Sequence, residues 1–223
     1  MNPSDFDDYQ IVYQDQDVLV VNKAPGLLTV PGRLPENKRS LATLITQCYP
    51  NSHIVHRLDQ ATSGLLVVPQ SKNALSNLAK QFQGRTVGKR YQAVVTGILN
   101  SDQGEVTAPM MCDWPNRPRQ IVHADGKPSR TRFRVLAKNT DSNSTRVVLH
   151  PETGRSHQLR VHMQHLGHPI LGDNLYADAG DAERTPVLML HAEQLTFRHP
   201  TSNTQMTFTA PPQHWPHLTG TTQ

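Results

Sequence analysis

Cysteine is scarce in this 223-residue chain: Cys48 and Cys112 are the only two, and they stand far apart. No Cys-x-x-Cys spacing exists, which excludes a zinc ribbon and a disulfide framework and fits a reducing compartment. Aromatic residues make up 5% against 36% hydrophobic residues in all, so the core must be built mainly from aliphatic side chains. The longest apolar runs, Val18 to Val21 and Leu65 to Val68 among them, are four residues long. A membrane span needs about twenty. The N-terminus is acidic and carries no apolar stretch of the signal-peptide kind. Neither a P-loop nor a Gly-x-Gly-x-x-Gly turn is present, so no nucleotide cofactor is expected. The expectation is a soluble, cytoplasmic protein with no cofactor. A monomer is expected too, because no long apolar stripe is evident.

Charge is present but almost balanced, at 22 Lys plus Arg against 18 Asp plus Glu. Its distribution says more than its sum. The stretch up to Asp17 is acidic, whereas Arg85 to Arg134 is dense in Lys and Arg, which hints at a polyanionic partner.

Short apolar and polar segments alternate without a constant βαβ period and without repeats. Asp17 to Asn22 reads as a buried strand closed by the turn Lys23-Ala24-Pro25-Gly26. Ser40 is expected to cap a helix carrying Leu41, Leu44, Ile45 and Cys48. Ser71 is expected to cap a second, with Leu75, Leu78, Ala79 and Phe82 inward and Gly84 at its end. His53 to His56 is expected to be extended, Leu65 to Val68 a buried strand, and Lys89 to Gly97 an alternating one. Arg130, Arg132 and Arg134 recur at period two, one face of a strand, and Arg146 to Leu149 is another strand. Lys138 to Thr145 reads as a hairpin loop. Ser156 is expected to open a third helix with Leu159, Met163 and Leu166 inward, closed at Gly167. Leu171 to Ala182 reads as irregular, and Val187 to Leu190 and Gln205 to Thr209 as closing strands. The fold class is α+β, a mostly antiparallel central sheet with flanking helices and loops.

The densest polar cluster is His56-Arg57-Leu58-Asp59-Gln60-Ala61-Thr62-Ser63-Gly64, between two apolar extended segments. Arg57 and Asp59 share parity, and a cation near a carboxylate keeps it ionised. An ionised aspartate can serve as nucleophile or general base. Taken alone, such a pair in a turn is an ordinary surface ion pair.

The longer pattern adds to this. HRLD followed by TSG resembles the signature of the RluA-type pseudouridine synthases. The likeness continues through Asp17 to Gly32, Gly88-Lys89-Arg90-Tyr91, Gly154-Arg155-Ser156-His157-Gln158-Leu159-Arg160, Gly167 to Asp173 and Leu190-His191-Ala192, in the family's order. It covers about Asp17 to Ala210. The loop Cys112 to Pro118 is similar to that of the short members with dual specificity, and, with 55 residues ahead of His56, the S4-type domain many relatives carry is not expected. The resemblance implies a pseudouridine-synthase fold with a central RNA-binding cleft over residues 17–212, between an N-terminal extension (1–16) and a C-terminal tail (213–223). It implies isomerisation of uridines in structured RNA, namely stem-loops of 23S rRNA and the anticodon stem-loop of tRNAs. Acting on only one of these RNA classes is the alternative.

The same resemblance makes Asp59 the catalytic aspartate, Tyr91 the ring that stacks on the uracil, and Arg160 the cation that pairs with Asp59. Arg57 would fill the space left by a flipped nucleotide, since a stacked uridine cannot reach a recessed carboxylate. Further RNA contacts are expected from His56, Thr62, Lys89, Arg90, Trp114, Arg117, Arg119, Arg130, Arg132, Arg134 and Arg155, by phosphate neutralisation or stacking. No metal is required.

Three rivals remain. His150, His157, His162, His165 and His168 could suggest a metal hydrolase, but no His-Glu-x-x-His pair exists. A non-catalytic RNA-binding protein would keep the basic strand without needing Asp59, Tyr91 and Arg160. A nucleosidase using Asp59 would release free base and leave an abasic site.

Overall fold

The computed structural model describes residues 7–213 and 215. In chain order the elements are β1 (Tyr9–Gln14), β2 (Val18–Lys23), α1 (Leu41–Cys48), β3 (Ser63–Pro69), α2 (Lys72–Gln83), β4 (Gly88–Thr96), β5 (Gln103–Thr107) and β6 (Met110–Cys112). Then come β7 (Gln120–Val122), β8 (Arg130–Asn139), β9 (Ser144–Pro151), α3 (Gln158–His165), α4 (Ala179–Glu183), β10 (Leu190–Arg198) and β11 (Gln205–Thr209). The α+β class with mostly antiparallel pairing is as expected. The chain divides into two compact units, residues 1–89 with 192–212, and residues 90–191 with 213–223.

The first unit orders its strands β1-β2-β3-β10-β11. β2 and β3 are buried along their whole lengths, and they pair antiparallel from Val18 opposite Pro69 to Lys23 opposite Gly64. Both faces of this pair are covered, which is why the sequence shows solid four-residue apolar runs rather than alternation. Val18, Val20, Leu65 and Val67 join Leu78 of α2 and Leu195 and Phe197 of β10 in one core. The helices start where their caps stand: Ser40 and Thr43 form a reciprocal capping box, and the Ser71 side chain accepts the Ala74 N–H. β1 is an edge strand not foreseen in the sequence, because its Tyr-Gln-Ile-Val-Tyr-Gln run is mostly exposed and lacks a clean apolar face.

The second unit orders β4-β9-β8-β5, with β6 and β7 as a separate hairpin. The turn expected at Lys138 to Thr145 joins β8 to β9. Three expectations are corrected. Helix α3 begins at Gln158, not Ser156: His157 occupies the cap position with φ of 54° and makes no capping bond through its side chain. Val187 to Met189 carries isolated backbone bonds, from Met189 N–H to Leu171 O and from Val94 N–H to Met189 O, and the ladder starts only at Leu190. The segment read as irregular ends in the short helix α4. Among the described residues no helix is long and apolar enough to cross a membrane.

Gly64 opens β3 after the polar cluster with φ of +117°, and a Cβ there would lie 2.4–2.7 Å from the backbone of Ala192. Both features demand glycine. Gly64→Ala is expected to cost about 3 kcal/mol or more, read as a lowered urea midpoint; a wild-type midpoint would contradict the close approach.

Candidate active site

Asp59 lies in a coil that runs from Val55 to a turn closed by the Thr62 N–H to Asp59 O bond, 3.1 Å. Burial alternates along it: Arg57 is exposed, Leu58 is buried and Asp59 is half-buried. The coil itself forms no ladder, so something else must fix it. That function falls to the turn after β2. The buried Thr29 hydroxyl donates to Leu58 O at 2.8 Å and accepts Leu58 N–H at 3.2 Å. Gly26 N–H donates to Gln60 O at 2.9 Å, and the Gln60 amide returns a bond to Gly26 O at 3.0 Å. Gly26 has φ of 88°, the left-handed conformation its place in the turn required. Both neighbours of Asp59 are therefore bonded through their main chains to one turn.

Lys23 completes this clamp. Only 1% of it is exposed, and its ammonium donates to Ala24 O (2.8 Å), Leu27 O (2.8 Å) and Gln60 O (3.2 Å). Three donors meet three carbonyls. Burial lowers its pKa to about 7, and the nearby Asp59 carboxylate opposes that fall. His56 holds the other end of the loop. Its Nε2 accepts Val67 N–H at 3.0 Å, and its ring stacks on Phe82 at 4.4 Å. Burial, with Lys89 adding to it, lowers its pKa to about 3, so it is neutral with its proton on Nδ1. Burial likewise lowers the pKa of Lys89. Thr62 is buried, and its hydroxyl has no partner among the described residues. The exposed Arg57 has no hydrogen-bond or ion-pair partner there.

In the second unit Tyr91 stands half-buried on β4, opposite Leu149 of β9. Arg160 of α3 is 3% exposed. Its Nε and Nη2 grip Asp173 at 2.7 and 2.6 Å, and Asp173 also accepts the N–H groups of Leu175 and Tyr176. This bidentate pair fixes the plane of the guanidinium. Gln158 sets the turn before it. Its Oε1 accepts from Thr153 Oγ1 and Arg155 N, and its amide donates to Arg130 O and Thr131 Oγ1. Arg155 leans on Pro128 O at 3.4 Å.

The three arginines of β8 do not present equal charge. Arg130 binds Glu105 at 2.6 Å, and Arg132 binds Glu152 at 2.8 Å; Arg134 is exposed. His150, whose pKa falls through burial and then through Arg132, Arg90 and Arg134, marks where the basic groups gather. Trp114 is 64% exposed, and the Arg117 guanidinium covers its ring at 3.4 Å. Arg119 faces the Tyr176 ring at 5.6 Å. Sequence reasoning missed Lys23, Thr29, Gln158, Asp173 and Tyr176 as functional supports. For Lys23 a signal existed, a lysine ending a buried strand just before a Pro-Gly turn.

One group of described residues brings metal-type ligands together: Asp15, Asp17 and His199, within 4.8 Å of one another. Its histidine does not suit a cation. Nδ1 of His199 accepts the N–H groups of Thr201 and Ser202, so Nε2 carries the proton and donates to Asp15 at 3.0 Å. The trio ties the β1–β2 turn to the β10–β11 turn.

Residues 17–165 match the model of a family described as RNA pseudouridylate synthase. The chain belongs to that family. It is 52% identical over 202 residues to the Escherichia coli (strain K12) protein named dual-specificity RNA pseudouridine synthase RluA, a match spanning 90% of this chain and 92% of the relative. To the protein of the same name from Yersinia pestis it is 49% identical over 199 residues, 89% of this chain and 96% of the relative. Among solved structures, human RNA pseudouridylate synthase domain containing 1 superposes with a TM-score of 0.78 at 30% identity, over 92% of this chain and 83% of that one.

Lys23→Met would leave three buried carbonyls without a donor and remove the tie at Gln60. Stability is expected to fall by about 3 kcal/mol or more, measured by urea unfolding. Lys23→Arg should not restore it, because a planar fork does not match three converging acceptors. A wild-type unfolding midpoint for Lys23→Met would rule out the clamp.

Proposed function

We infer that this RNA pseudouridine synthase acts on specific uridines in both rRNA and tRNA stem-loops, a reading supported by the dual specificity in the names of its relatives. The observation that carries the site assignment is the half-buried Asp59, fixed through both main-chain neighbours, two residues from an exposed Arg57 with no ion-pair partner among the described residues. Asp59 is the catalytic carboxylate, initiating cleavage of the N1–C1′ bond as nucleophile or base. The uracil then rejoins the ribose through C5, with a proton lost from C5 and one gained at N1. One bond forms for each broken, and no electrons are exchanged, so the balance calls for no cofactor.

Tyr91 supplies the ring for the uracil. Arg160, its plane set by Asp173, is the arginine that acts with Asp59 in the reaction. Arg57 takes the place of the extruded nucleotide. Lys89, Arg90, Arg134 and Arg155 are the phosphate contacts, with Arg130 and Arg132 weakened in that capacity by Glu105 and Glu152. His56 and Thr62 serve the loop's framework rather than its RNA face. Residues 17–212 form the catalytic domain of a cytoplasmic monomer. Residues 1–16 are an extension, and the tail at 213–223 lies almost wholly outside the described residues.

Total RNA from a strain lacking the gene, incubated with the enzyme and mapped for pseudouridine, tests this reading. Modified sites are expected in both rRNA and tRNA, with RNA mass unchanged. Asp59→Asn should abolish all of them while the protein stays folded. Arg57→Ala should lower turnover on stem-loops at least tenfold while leaving RNA affinity within about threefold, since flipping costs a few kcal/mol. Sites in one RNA class alone would refute dual specificity, and an active Asp59→Asn protein would refute the catalyst.

A further inference from the structure

The loop between β6 and β7 is braced by its own hydrogen bonds, yet it holds its tryptophan in solvent. Asp113 N–H bonds Arg119 O, Asn116 N–H bonds Asp113 O and Arg119 N–H bonds Asn116 O, at 3.0–3.1 Å. The Asn116 amide donates to the Asp113 carboxylate at 3.0 Å. A loop so braced cannot fold Trp114 onto the core. Trp114 is also the most exposed of the large hydrophobic residues among those described, at 64%, a costly placement unless something covers it. Arg117 covers one face only. Neither Arg117 nor Arg119 has a carboxylate partner among the described residues.

The loop is tied to the support of Arg160. Gln120 N–H donates to the Tyr176 hydroxyl at 2.8 Å, that hydroxyl lies 2.7 Å from His157 Nδ1, and the Tyr176 ring faces the Arg160 guanidinium at 5.1 Å. Hence a single tyrosine joins the braced loop to a proposed catalytic arginine.

We propose that Trp114 and Arg117 form a stacking platform for an unpaired nucleotide of the RNA substrate, the base lying on the indole and its phosphate meeting Arg117 or Arg119. Resting on the pseudouridine-synthase reading, this names the feature of the substrate that the loop selects. Paired bases within a duplex have both faces covered, and a single-stranded base does not. The platform therefore favours looped RNA over continuous duplex. Charge complementarity points to RNA rather than to a neutral peptide.

The test uses Trp215→Phe protein, in which Trp114 is the sole tryptophan of the two in the chain. A stem-loop RNA with unpaired uridines in its loop should quench its fluorescence saturably, and a blunt duplex of equal length should not. Trp114→Ala should raise KM for the stem-loop about tenfold with kcat within about twofold, and Trp114→Phe should restore most of the loss. Unchanged emission at saturating stem-loop, or a wild-type KM for Trp114→Ala, overturns the platform while leaving the enzyme assignment intact. Quenching by stem-loop without pseudouridine formation by wild-type protein would support the platform and sink the enzymatic reading instead.

Discussion

A side-chain hydroxyl, a glycine amide and a buried ammonium together hold the main chain on both sides of Asp59. The coil that carries this carboxylate makes no ladder of its own, so its direction is set from a turn 29 residues earlier at Thr29 and 37 residues earlier at Lys23. Each bond contributes only about 0.5–1.5 kcal/mol net. Their value lies in geometry, because a reacting group displaced by about 1 Å can lose a hundredfold in rate. The tight backbone approach at Gly64 then returns the chain at once into a fully buried strand. Loop and strand leave the carboxylate little freedom except at its own χ angles.

Electrostatics follow from the same burial. Lys23 is tolerated inside because its three protons are all spent on carbonyls, and His56 is tolerated because it is neutral and accepts a strand amide. Arg160 is tolerated because Asp173 pairs with it in two parallel bonds. The buried Lys23 and Arg160 are tied to partners, whereas the exposed Arg57 and Arg134 have no ion-pair partner among the described residues. This division suits a polyanionic substrate.

Much of the fold could be read in advance where local chemistry decides it. Ser40 and Ser71 announced two helix starts, the four-residue apolar runs announced β2 and β3, and the Pro-Gly turn announced the end of β2. Periodicity gave the arginine face of β8, but not the glutamates that neutralise part of it, since Glu105 stands on β5 and Glu152 just beyond the end of β9. Helix α3 misled because Ser156 looks like a cap, while the network around Gln158 places the start two residues later. The Asp59 motif was legible as a string. Its supports were not, because a hydrogen bond from Thr29 to Leu58 or from Arg160 to Asp173 leaves no local pattern in the chain.

Native-state hydrogen exchange at the amides of Gly26 and Leu58 reports whether the main chain beside Asp59 is held. Both N–H groups belong to the clamp and to no ladder. If the clamp holds the loop, they exchange as slowly as the amides of β3, within about tenfold. Exchange at rates typical of a free loop would mean that Asp59 is not held in place, and the account of this site would fail.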